Sequence, residues 1–235
     1  MPDEIYRFEN GITVHRRHLL DYQVNRYQTG GGGNLHEPEE ESWFLKLIRD
    51  CPAESPLFYD IGGGIGYYSL LFLHERPSGQ AVAIEALPEH ATAIRENLAL
   101  NGIAPERLRL LELAAHAHDG EVGFEINDFS SHVIEEGGTA PRQLRVPARD
   151  IAAILAEAPR PIDIAKLDVQ GAETVLLERV ISGGQAAQVT SWIIGTHGDA
   201  LFDRCVSLLE PHWRILHQDR TPPFQPDGLI VASRR

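Results

Sequence analysis

The chain has 235 residues, of which 43% are hydrophobic and 23% are charged, and this suits one large core better than two ordinary domains. Lysine and arginine number 21 against 34 aspartates and glutamates, and the formal net charge of -13 opposes the phosphate attraction on which most nucleic-acid binders depend. We therefore expect a small-molecule substrate and no nucleic-acid partner.

The cysteines and the apolar runs bear on the compartment. Cys51 and Cys205 form no CxxC pair, so neither a disulfide framework nor a cysteine zinc site is indicated. The sequence has no run of about 18 apolar residues, and Asp3 and Glu4 stand where a signal peptide carries basic residues. These features predict a cytoplasmic protein with no membrane partner.

Residues 1–50 differ from the rest of the chain. The four consecutive glycines of Gly30–Gly33 predict a flexible joint. The acid-rich run 37–41, followed by apolar residues, predicts a helix with its acids at the positive N-terminal end. We interpret 1–50 as an N-terminal extension that serves as a lid or as part of the substrate pocket, and 51–235 as one domain. A flexible joint also permits an exchanged arm, so a homodimer stays open.

From residue 57 onward, short apolar runs alternate with helical patterns. The predicted strands are 57–60, 81–85, 108–112, 162–168, 191–195, 213–217 and 228–233, and the predicted helices between them are 66–75, 88–101, 172–181 and 199–210. This alternation predicts an α/β fold, a doubly wound, Rossmann-like sheet of seven mostly parallel strands. The segment 119–148 reads as a hairpin or loop insertion above the sheet edge.

A glycine-rich turn follows the first predicted strand, with the sequence Asp60-Ile-Gly-Gly-Gly-Ile-Gly66. Glycines let the backbone approach a ligand closely, and the following helix N-terminus offers unpaired N–H groups. The G-x-G-x-G spacing lacks the third glycine of the dinucleotide fingerprint, whose position is held by Tyr67. Glu85 ends the second predicted strand, where a carboxylate can accept hydrogen bonds from a ribose diol. The pattern favours an adenosine-type ligand.

Three segments resemble the FkbM-type S-adenosylmethionine-dependent methyltransferases, which have the class I methyltransferase fold. They are the glycine turn, the segment Ala83-Ile-Glu-Ala-Leu-Pro88 with Glu96, Asn97 and Asn101 downstream, and Lys166-Leu-Asp-Val-Gln-Gly-Ala-Glu173. The third is similar to the pattern Lys-x-Asp-x-Glu-Gly-Ala-Glu, with Gln170 where the family usually has a glutamate. The resemblance covers about residues 57–181.

The resemblance implies that the cofactor is S-adenosylmethionine and that S-adenosylhomocysteine is released. It implies that the glycine turn holds the methionine part of the cofactor, that Glu85 holds the ribose hydroxyls and that the region around Ala114–His116 holds the adenine. The predicted cofactor-binding residues are Asp60, Gly62, Gly64, Gly66, Glu85, Ala86, Ala115 and His116.

Three residues at the ends of predicted strands are candidates for catalysis. Lys166 and Asp168 point to the same side of their strand, so Asp168 can orient the acceptor, remove its proton or bind a cation. The alternative is a partly buried ion pair between them. His197 follows the next strand, and an imidazole with an ordinary pKa of about 6.5 suits a base or a metal ligand. Its alternative is a turn and helix cap.

The predicted substrate contacts are His132, Glu173 and Tyr27. Glu173 opens a predicted helix and is also suited to stabilising the helix N-terminus. Tyr27 can wall a pocket, although aromatic side chains more often belong to the core. Asp168, Glu173 and His197 together offer oxygen and nitrogen ligands, but without a fixed spacing we do not favour a divalent metal.

The resemblance implies methyl transfer to a hydroxyl oxygen of a small molecule, a sugar or a natural product. An N-methyltransferase acting on an amine or peptide keeps the fold and changes the acceptor. A nicotinamide-dependent oxidoreductase is a second alternative, for which the glycine spacing is wrong. A non-catalytic module that binds an adenosine ligand is the third, because a fold never dictates a function.

Overall fold

The computed structural model describes residues 4–126, 132–134 and 142–234. Its central sheet has the strand order β12-β13-β11-β10-β3-β4-β5. The strands are β3 (Leu57–Ile61), β4 (Gln80–Glu85), β5 (Leu108–Glu112), β10 (Ile162–Leu167), β11 (Val189–Thr196), β12 (Trp213–Asp219) and β13 (Gly228–Arg234). Pairing is parallel from β5 to β11, and β13 is antiparallel to both of its neighbours. The predicted seven-stranded, mostly parallel sheet is confirmed.

Helices cover both faces of this sheet. They are α1 (Asp21–Thr29), α2 (Pro38–Asp50), α3 (Tyr67–Glu75), α4 (Pro88–Leu100), α5 (Ile151–Ala156), α6 (Glu173–Ser182) and α7 (Asp199–Leu209). Successive strand residues face opposite sides, so Phe58 belongs to the apolar cluster that includes residues of α2, α3 and α4. Tyr59 belongs to the cluster that includes residues of α5, α6 and α7. Within the described ranges, no helix is both long and apolar enough to cross a membrane.

The N-terminal residues are built into the first of these clusters. A hairpin of β1 (Ile5–Arg7) and β2 (Thr13–His15) precedes α1. The ring of Phe8 lies 4.8 Å from that of Tyr67 in α3, measured between ring centroids. The side chain of Asn101 accepts from the Thr13 amide and donates to its carbonyl. Residues 1–50 thus share a core with α3 and α4, and the division of the chain at residue 50 stays a proposal.

The glycine run, expected to be a flexible joint, is closely packed in the structure. A Cβ built on Gly32 would lie 2.7 Å from Pro38 Cγ and 2.8 Å from Phe224 Cβ, and Gly31 has a φ of +83° against the same phenylalanine ring. Side chains do not fit in this space. The physical reason for these glycines is therefore the close approach of the N-terminal segment to the loop before β13.

The predicted insertion forms a second, smaller sheet with the strand order β6-β9-β7-β8. Its strands are β6 (Ala114–His116), β7 (Gly120–Glu125), β8 (His132–Val133) and β9 (Gln143–Asp150). β7 pairs antiparallel with both β8 and β9, so the insertion is a small, mostly antiparallel sheet rather than a single hairpin or a loop. Residues 127–131 and 135–141 of the insertion, including the pair Gly137 and Gly138, lie outside the described residues.

Candidate active site

A cavity of about 320 Å³ opens at the carboxyl ends of β3, β4, β10 and β11, the edge at which open α/β sheets bind ligands. We divide its lining into two halves named for their predicted roles: a donor half, for S-adenosylmethionine, and an acceptor half, for the molecule to be methylated. The donor half is Asp60, Gly62, Gly63, Gly64, Ile65, Ile84, Glu85, Ala86, Leu87, His90, Leu113, Ala114 and Ala115. The acceptor half is Tyr22, Gln23, Arg26, His36, Glu37, Lys166, Asp168, Gln170, His197, Pro226 and Asp227.

The glycine turn forms one wall of the donor half. A Cβ on Gly62 would lie 1.8 Å from the carbonyl oxygen of Asp168, so only glycine lets β3 and β10 end side by side here. Gly64 has a φ of +52° and open space where its Cβ would stand. Gly66 is outside the cavity lining. A Cβ there would lie 3.2 Å from Ile94, so Gly66 serves the packing of the turn on α4.

Asp60 holds the turn against the helix that follows it. Its Oδ2 accepts hydrogen bonds from the backbone N–H (3.1 Å) and the hydroxyl (2.7 Å) of Ser69. Burial raises the pKa of Asp60, whereas Lys166 and the Ser69 hydroxyl act to lower it. Asp60 was predicted to bind the cofactor, and in the structure it fixes the geometry of the glycine turn.

Glu85 links the turn to the end of β4. Its Oε2 accepts the N–H of Gly64 and its Oε1 accepts the N–H of Leu87, each at 2.8 Å. Each carboxylate oxygen has two lone pairs, so both oxygens keep acceptor capacity toward a ligand. Ala86 and Ala115 add small apolar walls. His116 lies outside the lining, with its ring centroid 4.2 Å from that of His118.

Lys166 is a buried cation between two carboxylates. Its Nζ lies 2.8 Å from Asp168 Oδ2 and 3.1 Å from Glu40 Oε1, and 4.7 Å from the centre of the Tyr68 ring. Burial lowers the pKa of Lys166, but the two carboxylates outweigh it and raise this pKa well above its usual range. Burial raises the pKa of Glu40, and the neighbouring Lys166 ammonium opposes this rise. Lys166 is therefore an ammonium ion, as the ion-pair alternative for this residue anticipated, and it has no lone pair for catalysis.

His197 is enclosed by three carboxylates. Its Nδ1 lies 3.1 Å from Glu173 Oε1, and its Nε2 lies 3.2 Å from Asp227 Oδ1 and 3.6 Å from Asp168 Oδ1. Burial lowers the pKa of His197, but the hydrogen bonds to Asp227 and Glu173 and the charge of Asp168 raise it to about 11. At pH 7 His197 is therefore an imidazolium, which has no free lone pair on either ring nitrogen. This argues against His197 as the base.

Glu173 is fully buried and outside the cavity lining. Its Oε1 accepts the N–H of Val169 at 3.2 Å and that of Gly171 at 3.1 Å, besides contacting His197. This explains how Gln170, between them, is held at a left-handed φ of 59°. Glu173 was predicted to contact substrate, whereas in the structure it shapes the loop from which Gln170 lines the cavity.

Three residues could together ligate a metal ion, since one ligand atom each from Asp168, Glu173 and His197 lie within 4.8 Å of one another. The oxygens of Glu173 are already hydrogen-bonded to backbone amides. A metal would also have to displace the proton that the carboxylates keep on His197. The expectation that no metal is required stays a prediction.

The structure does not bring the other predicted substrate contacts to the cavity wall. Tyr27 is buried behind it, with its hydroxyl 2.6 Å from His36 Nδ1. His132 lies 3.6 Å from Glu125 in the small sheet, and its neighbour Val133 contributes to the cavity instead.

Sequence reasoning missed much of the acceptor half. His36 and Glu37 come from the loop before α2, and Asp227 comes from the loop before β13. The acid-rich run begins α2, as predicted, but Glu40 and Glu41 are unexpectedly buried. The carboxylates that follow His36 in the sequence could have indicated a polar site. No sequence pattern around Asp227 pointed to it.

The family model described as "Methyltransferase FkbM domain" matches residues 60–209. The chain belongs to this family. The match includes the glycine turn, Glu85, Asp168 and His197, so the donor half and part of the acceptor half lie within the shared domain.

The individual relatives are more distant. A protein-L-isoaspartate O-methyltransferase of Aeropyrum pernix is 33% identical over 84 residues, which are 35% of this chain and 32% of that protein. The matched part thus spans about a third of the length of this relative.

Among solved structures, the magnesium protoporphyrin IX methyltransferase of Synechocystis PCC 6803, determined with bound SAM, has a TM-score of 0.57 at 15% identity. The alignment covers 94% of this chain and 89% of that one. An rRNA methylase of Streptococcus thermophilus has a TM-score of 0.51 at 11% identity, with 80% and 92% covered. At these identities the likeness is one of fold.

Proposed function

We propose that this FkbM-family protein is an S-adenosylmethionine-dependent methyltransferase that transfers the methyl group to a hydroxyl oxygen of a small molecule. The observation that carries the proposal is a continuous cavity in which the glycine turn and Glu85 are joined to Asp168, His36 and Asp227. A donor site without an acceptor half would suit a binding module. Here polar side chains from both ends of the chain complete the second half.

In the donor half, the backbone N–H groups at the start of α3 and the glycine turn suit the carboxylate of the methionine part. The carboxylate of Glu85 suits two ribose hydroxyls, since its two oxygens are fixed by the amides of Gly64 and Leu87. The small side chains Ala114 and Ala115 leave room for a flat base.

In the acceptor half, the main requirement is position, because displacement at a sulfonium methyl needs the attacking atom in line with the carbon–sulfur bond. S-adenosylmethionine supplies the activated methyl group. Asp168 keeps a lowered pKa because Lys166 and His197 outweigh the effect of burial. An ionised Asp168 accepts hydrogen bonds, so it can orient a donor hydroxyl of the acceptor.

We propose that residues 1–50 form a fixed wall of the acceptor pocket. Support comes from Arg26, His36 and Glu37, which line the cavity, and from Glu40, which contacts Lys166 at 3.1 Å. The formal net charge of -13 supports an acceptor other than nucleic acid. An amine acceptor is the second candidate, because the carboxylates of Glu37, Asp168 and Asp227 suit an ammonium group that must then lose its proton.

The test is an acceptor screen with methyl-labelled S-adenosylmethionine and the purified chain. The panel contains phenols, sugars and aliphatic alcohols, matched amines, an isoaspartyl peptide and ribosomal RNA, and products are located by mass spectrometry. We expect label on oxygen of a small hydroxyl compound, unchanged when EDTA is added. Transfer to nitrogen or to RNA would contradict the oxygen or small-molecule part, and a chain that binds the donor but labels no compound would favour the binding module.

A further inference from the structure

Two imidazoles line the acceptor half, and their surroundings differ. Both nitrogens of His197 face carboxylates. His36 has its Nδ1 within 2.6 Å of the Tyr27 hydroxyl, while its Nε2 has Glu37 Oε2 at 3.9 Å, beyond hydrogen-bond distance. Among the residues that the structure describes, the His36 ring is therefore tethered through one nitrogen only, and its second nitrogen is available to a ligand.

The imidazole of His36 is held rigidly. Its ring centroid lies 4.6 Å from that of Tyr67 and 5.6 Å from that of Tyr27. The His36 N–H donates to Glu41 Oε1 at 2.6 Å, and the His36 carbonyl accepts from Arg26 at 3.2 Å. A base must lie at a fixed distance from the proton that it removes, and this packing supplies such a position.

From this arrangement we infer that His36 is the general base of methyl transfer, with Tyr27 as its positioning residue. The inference rests on the proposed function. The inference requires the tautomer in which Nδ1–H donates to the Tyr27 oxygen, because this tautomer leaves the lone pair of Nε2 for the acceptor. As the acceptor oxygen bonds to the methyl carbon, the carbon–sulfur electron pair goes to sulfur. The hydroxyl proton goes to Nε2 and then to water.

The charges around His36 fit this role. Burial lowers the pKa of His36, with Arg26 and Lys166 acting in the same direction, and Glu37 and Asp168 oppose it. The ring is thus neutral at pH 7 and can accept a proton. Glu37 then stabilises the imidazolium that forms, as an opposite charge at close range. The ionisable groups around the ring are Arg26 and Tyr27 of α1, Glu37 before α2, Glu40 and Glu41 of α2, Tyr67 and Tyr68 of α3, and Lys166 and Asp168 at the end of β10.

The tautomer can be measured without an acceptor. We would record ¹H–¹⁵N correlation spectra of the imidazole nitrogens in the full chain at pH 7, with and without S-adenosylhomocysteine, and assign His36 by its loss in His36→Gln. A neutral ring protonated on Nδ1 is expected. An imidazolium, or a proton on Nε2, would overturn the inference. Absence of any shift on adding S-adenosylhomocysteine is a separate result, which counts against the proposed function.

Kinetics with a hydroxyl acceptor from the screen test the catalytic step. We expect His36→Gln to lower kcat by about 10²–10⁴-fold, with KM and S-adenosylhomocysteine affinity little changed, and to remove the acid limb of the pH–rate profile. Tyr27→Phe should lower kcat less and keep the acid limb. His217→Gln is the matched control, since this imidazole is also partly buried, stacked on Trp43 and paired with Glu39. Wild-type kcat and an intact acid limb in His36→Gln would refute the assignment.

Discussion

The two halves of the cavity are built in different ways. In the donor half, Asp60, Glu85 and the glycines are fixed by hydrogen bonds to backbone and side-chain groups at most 22 residues away. In the acceptor half, Glu40 contacts Lys166 and Asp227 contacts His197, so residues from three distant parts of the chain meet. The donor half is a local motif, whereas the acceptor half exists only once the whole chain has folded. Substitutions in the donor half should therefore change cofactor affinity, whereas substitutions in the acceptor half should change stability or the KM for the methyl acceptor.

The largest expected effect is on stability, from the buried cation of the acceptor half. Lys166→Met leaves the buried Glu40 and Asp168 without this partner, and removing one member of a buried ionic group costs about 3–5 kcal/mol of unfolding free energy. Urea denaturation at pH 7 measures it. Lys46→Met removes an exposed lysine paired with Asp50 and is expected to cost less than about 1 kcal/mol. If Lys166→Met were as stable as wild type but inactive, Lys166 would be catalytic rather than structural.

The next effect is on donor affinity. Glu85→Gln keeps the shape but removes the charge proposed to accept from two ribose hydroxyls, and hydrogen bonds to charged groups contribute about 1.5–3 kcal/mol. We expect titration calorimetry to show that S-adenosylhomocysteine binds about 10- to 100-fold more weakly. The acceptor half should be unaffected. The control is Glu112→Gln, since Glu112 is aligned with Glu85 on the neighbouring strand but is exposed and paired with Arg95. Equal losses in both variants would show a general charge effect instead.

A pH-dependent effect on stability should come from His197. Because its pKa is raised from 6.5 to about 11, the stabilisation is fully present below pH 6.5 and is lost as pH rises toward 11. The stability difference between wild type and His197→Gln should shrink by at most ~1.4 kcal/mol per pH unit between pH 7 and 9. Urea denaturation at several pH values measures this slope. A difference that is independent of pH would mean that His197 is neutral, and would restore it as a candidate base.

The smallest expected effect concerns the rim of the acceptor half. Tyr22 lines the cavity and yet is 61% exposed. Contacts between aromatic rings contribute about 0.5–1.5 kcal/mol, so Tyr22→Ala should raise the KM for a ring-containing acceptor by up to about 10-fold and leave S-adenosylhomocysteine affinity unchanged. Steady-state kinetics with a matched ring-free acceptor provide the control. A loss of donor affinity in Tyr22→Ala would mean that the two halves are not separable.

The same contrast explains what could be predicted from the sequence. The periodic apolar runs predicted the sheet and its helices, and the glycine turn with Glu85 predicted the donor half, because these signals are local. Lys166, Asp168 and His197 were expected at strand ends and do line the cavity. Their charge states could not be predicted, since these depend on Glu40 and Asp227. Burial of Glu40 and Glu41 was also unexpected, because acids at a helix start ordinarily face solvent.

The central claim is that the glycine turn forms a donor-binding site, and titration calorimetry with S-adenosylhomocysteine tests it most directly. Wild type, Gly64→Val and Gly102→Val would be compared. Both glycines have a positive φ and no atom within 4 Å of an added Cβ, but only Gly64 lines the cavity. We predict micromolar binding to wild type and Gly102→Val, and loss of binding in Gly64→Val, since a side chain there would occupy the donor site. Absence of binding to folded wild type, or binding unchanged in Gly64→Val, would contradict the claim.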